Sequence, residues 1–287
     1  VKARKPIFGY RMMAFSLLAI VVLGFTVWAH HMFTSGMPGW IRDPMMITTA
    51  IIAIPTGVKI FSWLATLWRG VLHMDTAMLW AMGFITMFTL GGISGVMLAM
   101  VPFDLHVSKT YFIVAHIHYV LFGGSVFTIM AGAYYWFPKM TGRMYDERLG
   151  KWHFWTTFVF FNLTFAPMHV IGIEGMPRRV ATYSSQFATW NLLISIASFA
   201  LGASTLIFLY NMIASWRGGP RAGANPWRAL TLEWQVSSPP PIFNFDTLPT
   251  IVAGPYEYGV PGAVHAIFRD GAQVPTPEGD RVAVTQE

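Results

Sequence analysis

The chain has 287 residues, of which 54% are hydrophobic and only 11% charged. Soluble globular domains carry about 25% charged residues, so this composition cannot cover a water-facing surface and excludes a soluble enzyme of this length. Cysteine is absent, which removes disulfides, thiolate metal sites and cysteine nucleophiles. The formal charge of +6 is uneven: residues 1–216 hold 14 Lys/Arg against 6 Asp/Glu, while residues 217–287 hold 5 against 7. The basic excess therefore belongs to the apolar region, and nucleic acid does not account for it. Aromatic residues make up 16%, with 12 Trp and 23 Phe, as expected where rings gather at a bilayer interface.

The chain opens with Val1 and the stretch VKARKPIFGYRM. This is not a signal peptide, because an apolar run long enough to span a membrane follows it. Such a start reads as a fragment or processed half of something larger. Apolar runs of roughly twenty residues give six expected spans, at 12–33, 45–67, 78–100, 110–137, 152–173 and 189–215. Short punctuated loops such as SGMPGWIRDP and VPFD separate them. From about Arg217 the composition turns to Gly, Pro and Asn, including SSPPPIFNFDTLP. The expected fold is all-α: a polytopic transmembrane bundle over 1–216, then an irregular extramembrane tail over 217–287 lying on partners or on the membrane surface. Twelve Lys/Arg fall in the loops on one side and four on the other, so the positive-inside bias puts both termini in the cytoplasm.

Ionisable groups inside such spans are costly and usually face a cavity or bind something. His30 and His31, in VWAHHMF, stand near the outer end of the first span. Neighbours on a helix point about 100° apart, yet two imidazoles there can converge on one copper, iron or zinc ion; the alternative is a pair of interfacial histidines. His116 and His118, in VAHIHYVLFGG, lie about 200° apart on a helix. They cannot share one ion while the helix stays regular, but suit two separate ligands on opposite faces, or bonds to neighbouring helices. Both pairs fall at a similar depth, near the outer surface. Lys59, in IIAIPTGVKIFSWLATL, sits near the middle of the second span with Thr56 one turn earlier. An ammonium there costs about 2.5–3.5 kcal/mol and suits a partly hydrated proton path, or a structural bond to carbonyls. Arg178 and Arg179, in EGMPRRVATY, stand on the outer side against the charge trend. Their guanidinium forks match carboxylates, such as the acid groups of a cofactor.

The stretches WAHHMFTSGM, MMITTAIIAIPTGVKIFSWLATL, HIHYVLFGGSVF, YYWFPKMTGRMYDERLGKWHFW and GMPRRVATY resemble the catalytic subunit of the heme–copper oxidases, and most closely the subunit I family of cytochrome c oxidases. The resemblance covers about residues 5–215, the seventh to twelfth of the family's twelve helices. It implies that His30 and His31 are two of three histidine ligands of the active-site copper. It also implies that His116 is the axial ligand of the high-spin heme and His118 one axial ligand of the low-spin heme, with heme A as the cofactor. Lys59 with Thr56 would belong to the family's lysine proton pathway, and Arg178 and Arg179, with Asp104 nearby, would bond heme propionates. The implied activity is reduction of oxygen to water with electrons from cytochrome c, coupled to proton translocation, in a bacterial cytoplasmic membrane. The implied partners are the N-terminal half of the same subunit and subunits II and III. That N-terminal half carries the third copper histidine, its cross-linked tyrosine and the second low-spin heme histidine.

Departures from the family pattern are specific. Ile117 stands where the family usually has Phe. Ser108 and Lys109 replace a His–Asp pair associated with magnesium, and His106 is two positions out of step; the expectation is that the Lys109 ammonium supplies part of the missing ion's charge. Quinol oxidases and nitric oxide reductases share the HH and HxH layout, although TGVK argues against the latter. A heme-free permease or structural subunit is the alternative from another class.

Overall fold

The computed structural model describes residues 1–268 apart from 246, 259 and 261; the last stretch of the expected tail, 269–287, lies outside the described residues. Among those described, nine α-helices carry the fold: α1 (Tyr10–Gly24), α2 (Gly39–Ile51), α3 (Ala53–Leu67), α4 (Thr76–Ala99), α5 (Val101–Val107), α6 (Tyr111–Leu121), α7 (Phe127–Thr141), α8 (Glu147–Ile173) and α9 (Ala188–Gly218). Five helical runs are long and apolar enough to cross a membrane: Gly39–Leu67, Thr76–Ala99, Tyr111–Thr141, Glu147–Ile173 and Ser185–Gly218. The all-α membrane architecture is therefore as expected, but the count of six spans is not reached on length alone. The expected first span breaks. Helix α1 has 15 residues, about 22 Å of rise, and the backbone N–H and hydroxyl of Thr26 both bond the Leu23 carbonyl at 2.8 Å. That turns the chain out of the helix into a separate 3₁₀ segment, Trp28–Met32.

Local chemistry explains the other boundaries. Asp75 and Asp146 cap α4 and α8 by accepting from Met78 N at 3.0 Å and Leu149 N at 2.9 Å. Thr110 caps α6 in the same way. Pro55 has no N–H for the Ile51 carbonyl, and the second span divides into α2 and α3 at Ile52. VPFD, expected as loop, forms the short helix α5 with proline in its first turn. Between α6 and α7 the helix widens into a π turn, Phe122–Val126. Gly142, in the left-handed region at φ 70°, ends α7.

The packed core lies among α4, α6, α7, α8 and α9, where Trp80 meets Phe127 and Phe154 edge-on at 5.0 and 5.3 Å. Small residues let α4 approach its neighbours: a Cβ on Gly83 would meet Phe127 and Phe154 at 2.8 Å, and one on Gly91 would meet Tyr119 at 3.0 Å. The α2–α3 side is open by contrast. Only 11% of the apolar window in Gly39–Leu67 is buried, against 39% in Glu147–Ile173. The tail differs from expectation, because its first half packs on the chain itself. Trp234 is fully buried, the Trp227 indole N–H donates to the Tyr135 carbonyl at 2.8 Å, and Arg4 donates to the carbonyls of Trp227 and Arg228. Further on, Thr250–Ile251 pairs antiparallel with Ala266–Ile267.

Candidate functional site

A cavity of about 520 Å³ lies between the 3₁₀ segment, α2, α3, α4 and α6. His30 and His31 line one part of it and His116 another, while Asp104, Ser108 and Arg178 give it a polar end. The remaining wall is mostly aliphatic and aromatic, as is usual for a cofactor cleft. Gly57 and Gly92 leave space that a Cβ would enter, since neither has another atom within 4 Å of that position. The largely apolar wall, with the Arg178 cation at its polar end, suits an amphipathic group that carries acid groups at one end.

The histidine pair converges. In the 3₁₀ segment the two Nε2 atoms are 3.0 Å apart, with ring centroids at 4.1 Å. Two nitrogens bound at 2.0–2.1 Å to one ion at a right angle would be about 2.9 Å apart. The tautomer follows from Thr49, which spends its hydroxyl hydrogen on the Met45 carbonyl at 2.6 Å and so accepts from His30 Nδ1 at 3.3 Å. The Nε2 lone pair of His30 is left toward His31. Among the described residues, no group of three His, Cys, Asp or Glu is placed to hold an ion, so this chain offers two donors where a closed coordination sphere needs more.

His116 and His118 point to different surroundings. His116 Nδ1 lies 3.1 Å from the Gly91 carbonyl and 2.9 Å from Ser94 Oγ, whose own hydrogen goes to Gly91 at 2.8 Å. A carbonyl only accepts, so Nδ1 carries the proton and Nε2 keeps its lone pair, the state a metal ligand needs. A Cβ on Gly95 would stand 3.0 Å from the His116 ring. His118 is absent from the cavity wall; its Nδ1 donates to the Val114 carbonyl at 2.7 Å, and its ring stacks on Phe165 at 4.1 Å.

The remaining expected residues divide. Thr56 lines the cavity and donates to Ile52 at 2.9 Å, whereas the Lys59 ammonium lies 5.3 Å from the Trp63 ring centroid, outside that wall. Arg178 faces the cavity, but Arg179 is exposed on a left-handed backbone at φ 63°, so the pair is split. Arg178 is held in place by its N–H bond to the Lys109 carbonyl at 3.0 Å and by the adjoining Thr110–Pro177 bridge. Asp104 is 4% exposed, and its Oδ2 has no hydrogen-bond partner among the described residues. Burial pushes its carboxyl above the ordinary value, against the opposing pull of Ser108, His31, Lys109 and Arg178. Lys109 itself is exposed.

Residue patterns did not single out Ser94, Gly91 or Thr49, which orient the histidines. The one trace in the sequence is the small-residue run GGISG inside a span. A hydrogen bond from Tyr119 to Asn162 at 2.7 Å ties α6 to α8 just beyond His118.

A family model described as "Cytochrome C and Quinol oxidase polypeptide I" matches residues 1–200. The chain is 57% identical over 260 residues to cytochrome c oxidase subunit 1 of Synechocystis sp., covering 91% of this chain and 47% of that protein. It is 58% identical over 260 residues to the protein of that name from Thermostichus vulcanus, with the same coverage. The Cereibacter sphaeroides protein is 49% identical over 250 residues, covering 86% and 44%. A solved structure of a heme–copper terminal oxidase dimer superposes with a TM-score of 0.70 at 17% identity, over 75% of this chain and 44% of that one; this likeness is one of fold alone. The chain spans about half the length of the curated relatives it matches. A match across most of the chain, with relatives at half identity or more, means that it belongs to the cytochrome c and quinol oxidase polypeptide I family.

Proposed function

We propose that this chain is the C-terminal half of the catalytic subunit of a terminal respiratory oxidase, working with an N-terminal half and with subunits II and III. The reaction combines one oxygen molecule with four electrons and four protons to give two waters. The observation that carries this reading is the facing of His30, His31 and His116 into one cavity with a polar end. The names of the relatives support cytochrome c over quinol as the electron donor.

In this reading His30 and His31 hold the copper through Nε2, His116 the high-spin heme iron and His118 the low-spin heme iron, with heme A as the heme type. Bound copper and heme iron supply the electron transfer and oxygen chemistry. The chain's own residues do the rest. The Gly91 carbonyl and Ser94 hold the Nδ1 proton of His116, the Val114 carbonyl holds that of His118, and Thr49 holds that of His30. Each ring thus has one tautomer and a fixed orientation before anything binds. Arg178 lies at the cavity's polar end, where a fixed cation with a forked donor set holds acid groups; Arg179 acts from the exposed loop beside it, and Asp104 accepts or holds a proton at the same end. Thr56 presents a hydroxyl to the cavity, and Lys59, one turn on, passes protons toward it. The exposed Lys109 ammonium contributes positive charge in place of a divalent ion near Asp104. The weakly buried α1–α3 side is the seat of the N-terminal half, and the complex lies in a bacterial cytoplasmic membrane with both termini of this chain inside.

The test is a reduced-minus-oxidised optical spectrum of the complex captured through this chain from native membranes. Two heme A signals, one responding to carbon monoxide, are expected. An intact captured complex without heme would replace this reading with that of a structural membrane subunit.

A further inference from the structure

The tail carries three of the most exposed large apolar side chains in the described molecule: Ile242 at 94%, Phe243 at 87% and Leu248 at 86%. Their position is constrained, because the chain just before them is fastened to the end of the bundle. The Lys139 ammonium, on the last turn of α7, donates to the carbonyls of Ala224 at 2.9 Å, Val236 at 2.7 Å and Ser237 at 3.2 Å. Pro239 lies against the end of the same helix, where a Cβ on Gly142 would meet its Cδ at 2.8 Å. Four residues of extended chain reach at most about 14 Å, so Phe243 stays within that distance of Pro239.

The surroundings at this end of the bundle say what lies there. Trp136, Trp152, Trp155 and Trp216 are exposed on α7, α8 and α9 within two or three turns of it. Exposed indoles at helix ends mark the depth of the headgroup layer. Arg148, Arg217 and Arg221 are exposed beside them, and a cationic rim attracts anionic headgroups. The connecting segment is Pro239–Pro240–Pro241, whose lack of N–H groups removes donors that an apolar environment would leave unpaired.

We propose that the chain following Pro239 docks on the membrane itself through Ile242, Phe243 and Leu248, inserted among the lipids at the cationic end of the bundle, with Lys139 holding it at that depth. The occupant is a bilayer surface containing anionic phospholipid, which joins apolar contact to charge attraction. This is independent of the activity proposed above.

The experiment replaces Phe243 by p-benzoylphenylalanine in the complete complex in its native membrane, irradiates it, and identifies the adduct by mass spectrometry. A phospholipid adduct is expected, falling several-fold when Ile242→Asp and Leu248→Asp are added. The same label at Phe199, exposed in the middle of α9, controls for its reactivity. An adduct to another protein subunit, an adduct to another part of this chain, or an unreacted label at 243 would each overturn the proposal.

Discussion

His116 and His118 are two residues apart and serve different surroundings, which makes their separate replacement informative. His116→Ala should remove the carbon-monoxide-sensitive part of the reduced-minus-oxidised spectrum and leave the other heme signal. His118→Ala should do the reverse; an identical loss from both would mean that the two rings do not bind separate groups. Asp104 makes a prediction about pH. Its carboxyl is raised by burial, so the folded protein binds its proton more tightly than the unfolded chain does. The associated stability is fully present below the ordinary carboxylate range and is lost as pH rises through the folded value. Asp104→Asn should therefore flatten the pH dependence of the thermal midpoint above that range and raise the midpoint at neutral pH. An unchanged slope in the detergent-solubilised complex would contradict this. Among the metals, Lys109 in place of an acid predicts no stoichiometric magnesium or manganese on elemental analysis.

At the level of elements, the histidines depend on breaks in regular helix. His30 and His31 stand in a 3₁₀ segment rather than in a continuation of α1, with their Nε2 atoms 3.0 Å apart. The π turn below His118 admits Gly123 so close to α4 that a Cβ there would lie 2.7 Å from Met87 Cβ. Gly123→Val should cost about 1–3 kcal/mol through overpacking, measured as a lower thermal midpoint with a shifted heme spectrum; a neutral effect would show that the turn is slack. Helix α3 carries both proton-path candidates, yet only Thr56 reaches the cavity. Lys59→Met should slow oxygen reduction on the order of 10²-fold, as loss of a proton-transfer group does, while heme content stays unchanged. A rate close to that of the parent would leave Lys59 as a packing residue over Trp63.

For the molecule as a whole, the uneven burial of the helices matters most: the apolar windows of Gly39–Leu67 and Ser185–Gly218 are 11% and 17% buried, against 28–39% for the three spans between them. A helix face that is apolar and exposed within one chain needs lipid or another polypeptide against it. The tail is joined to the core by the Lys139 ammonium, by Arg4, Arg143 and Trp227, and by backbone bonds of Met144 to Pro220 and of Ala222 to Gly142. Lys139→Met leaves three carbonyls without their charged donor and should cost about 1.5–3 kcal/mol, detected as faster proteolysis within 219–238 at unchanged heme content. Cleavage at the parent rate would mean that Arg4 and Trp227 hold the tail without it.

The amino-acid sequence by itself determined the solvent: with so few charges and apolar runs of span length, these helices could only be membrane helices. It also determined the chemistry on offer, since histidines and a lysine inside such runs are costly enough to stand out, and the motifs around them carried the family. Spacing on α6 was enough to separate His116 from His118, because the helical repeat is fixed by backbone geometry. Only the tertiary structure decided the rest. The Thr110–Pro177 bridge positions the loop that carries Arg178, and the orientation of His116 rests on Ser94 and Gly91 from another helix. Such contacts join residues far apart in the chain, so no local pattern records them.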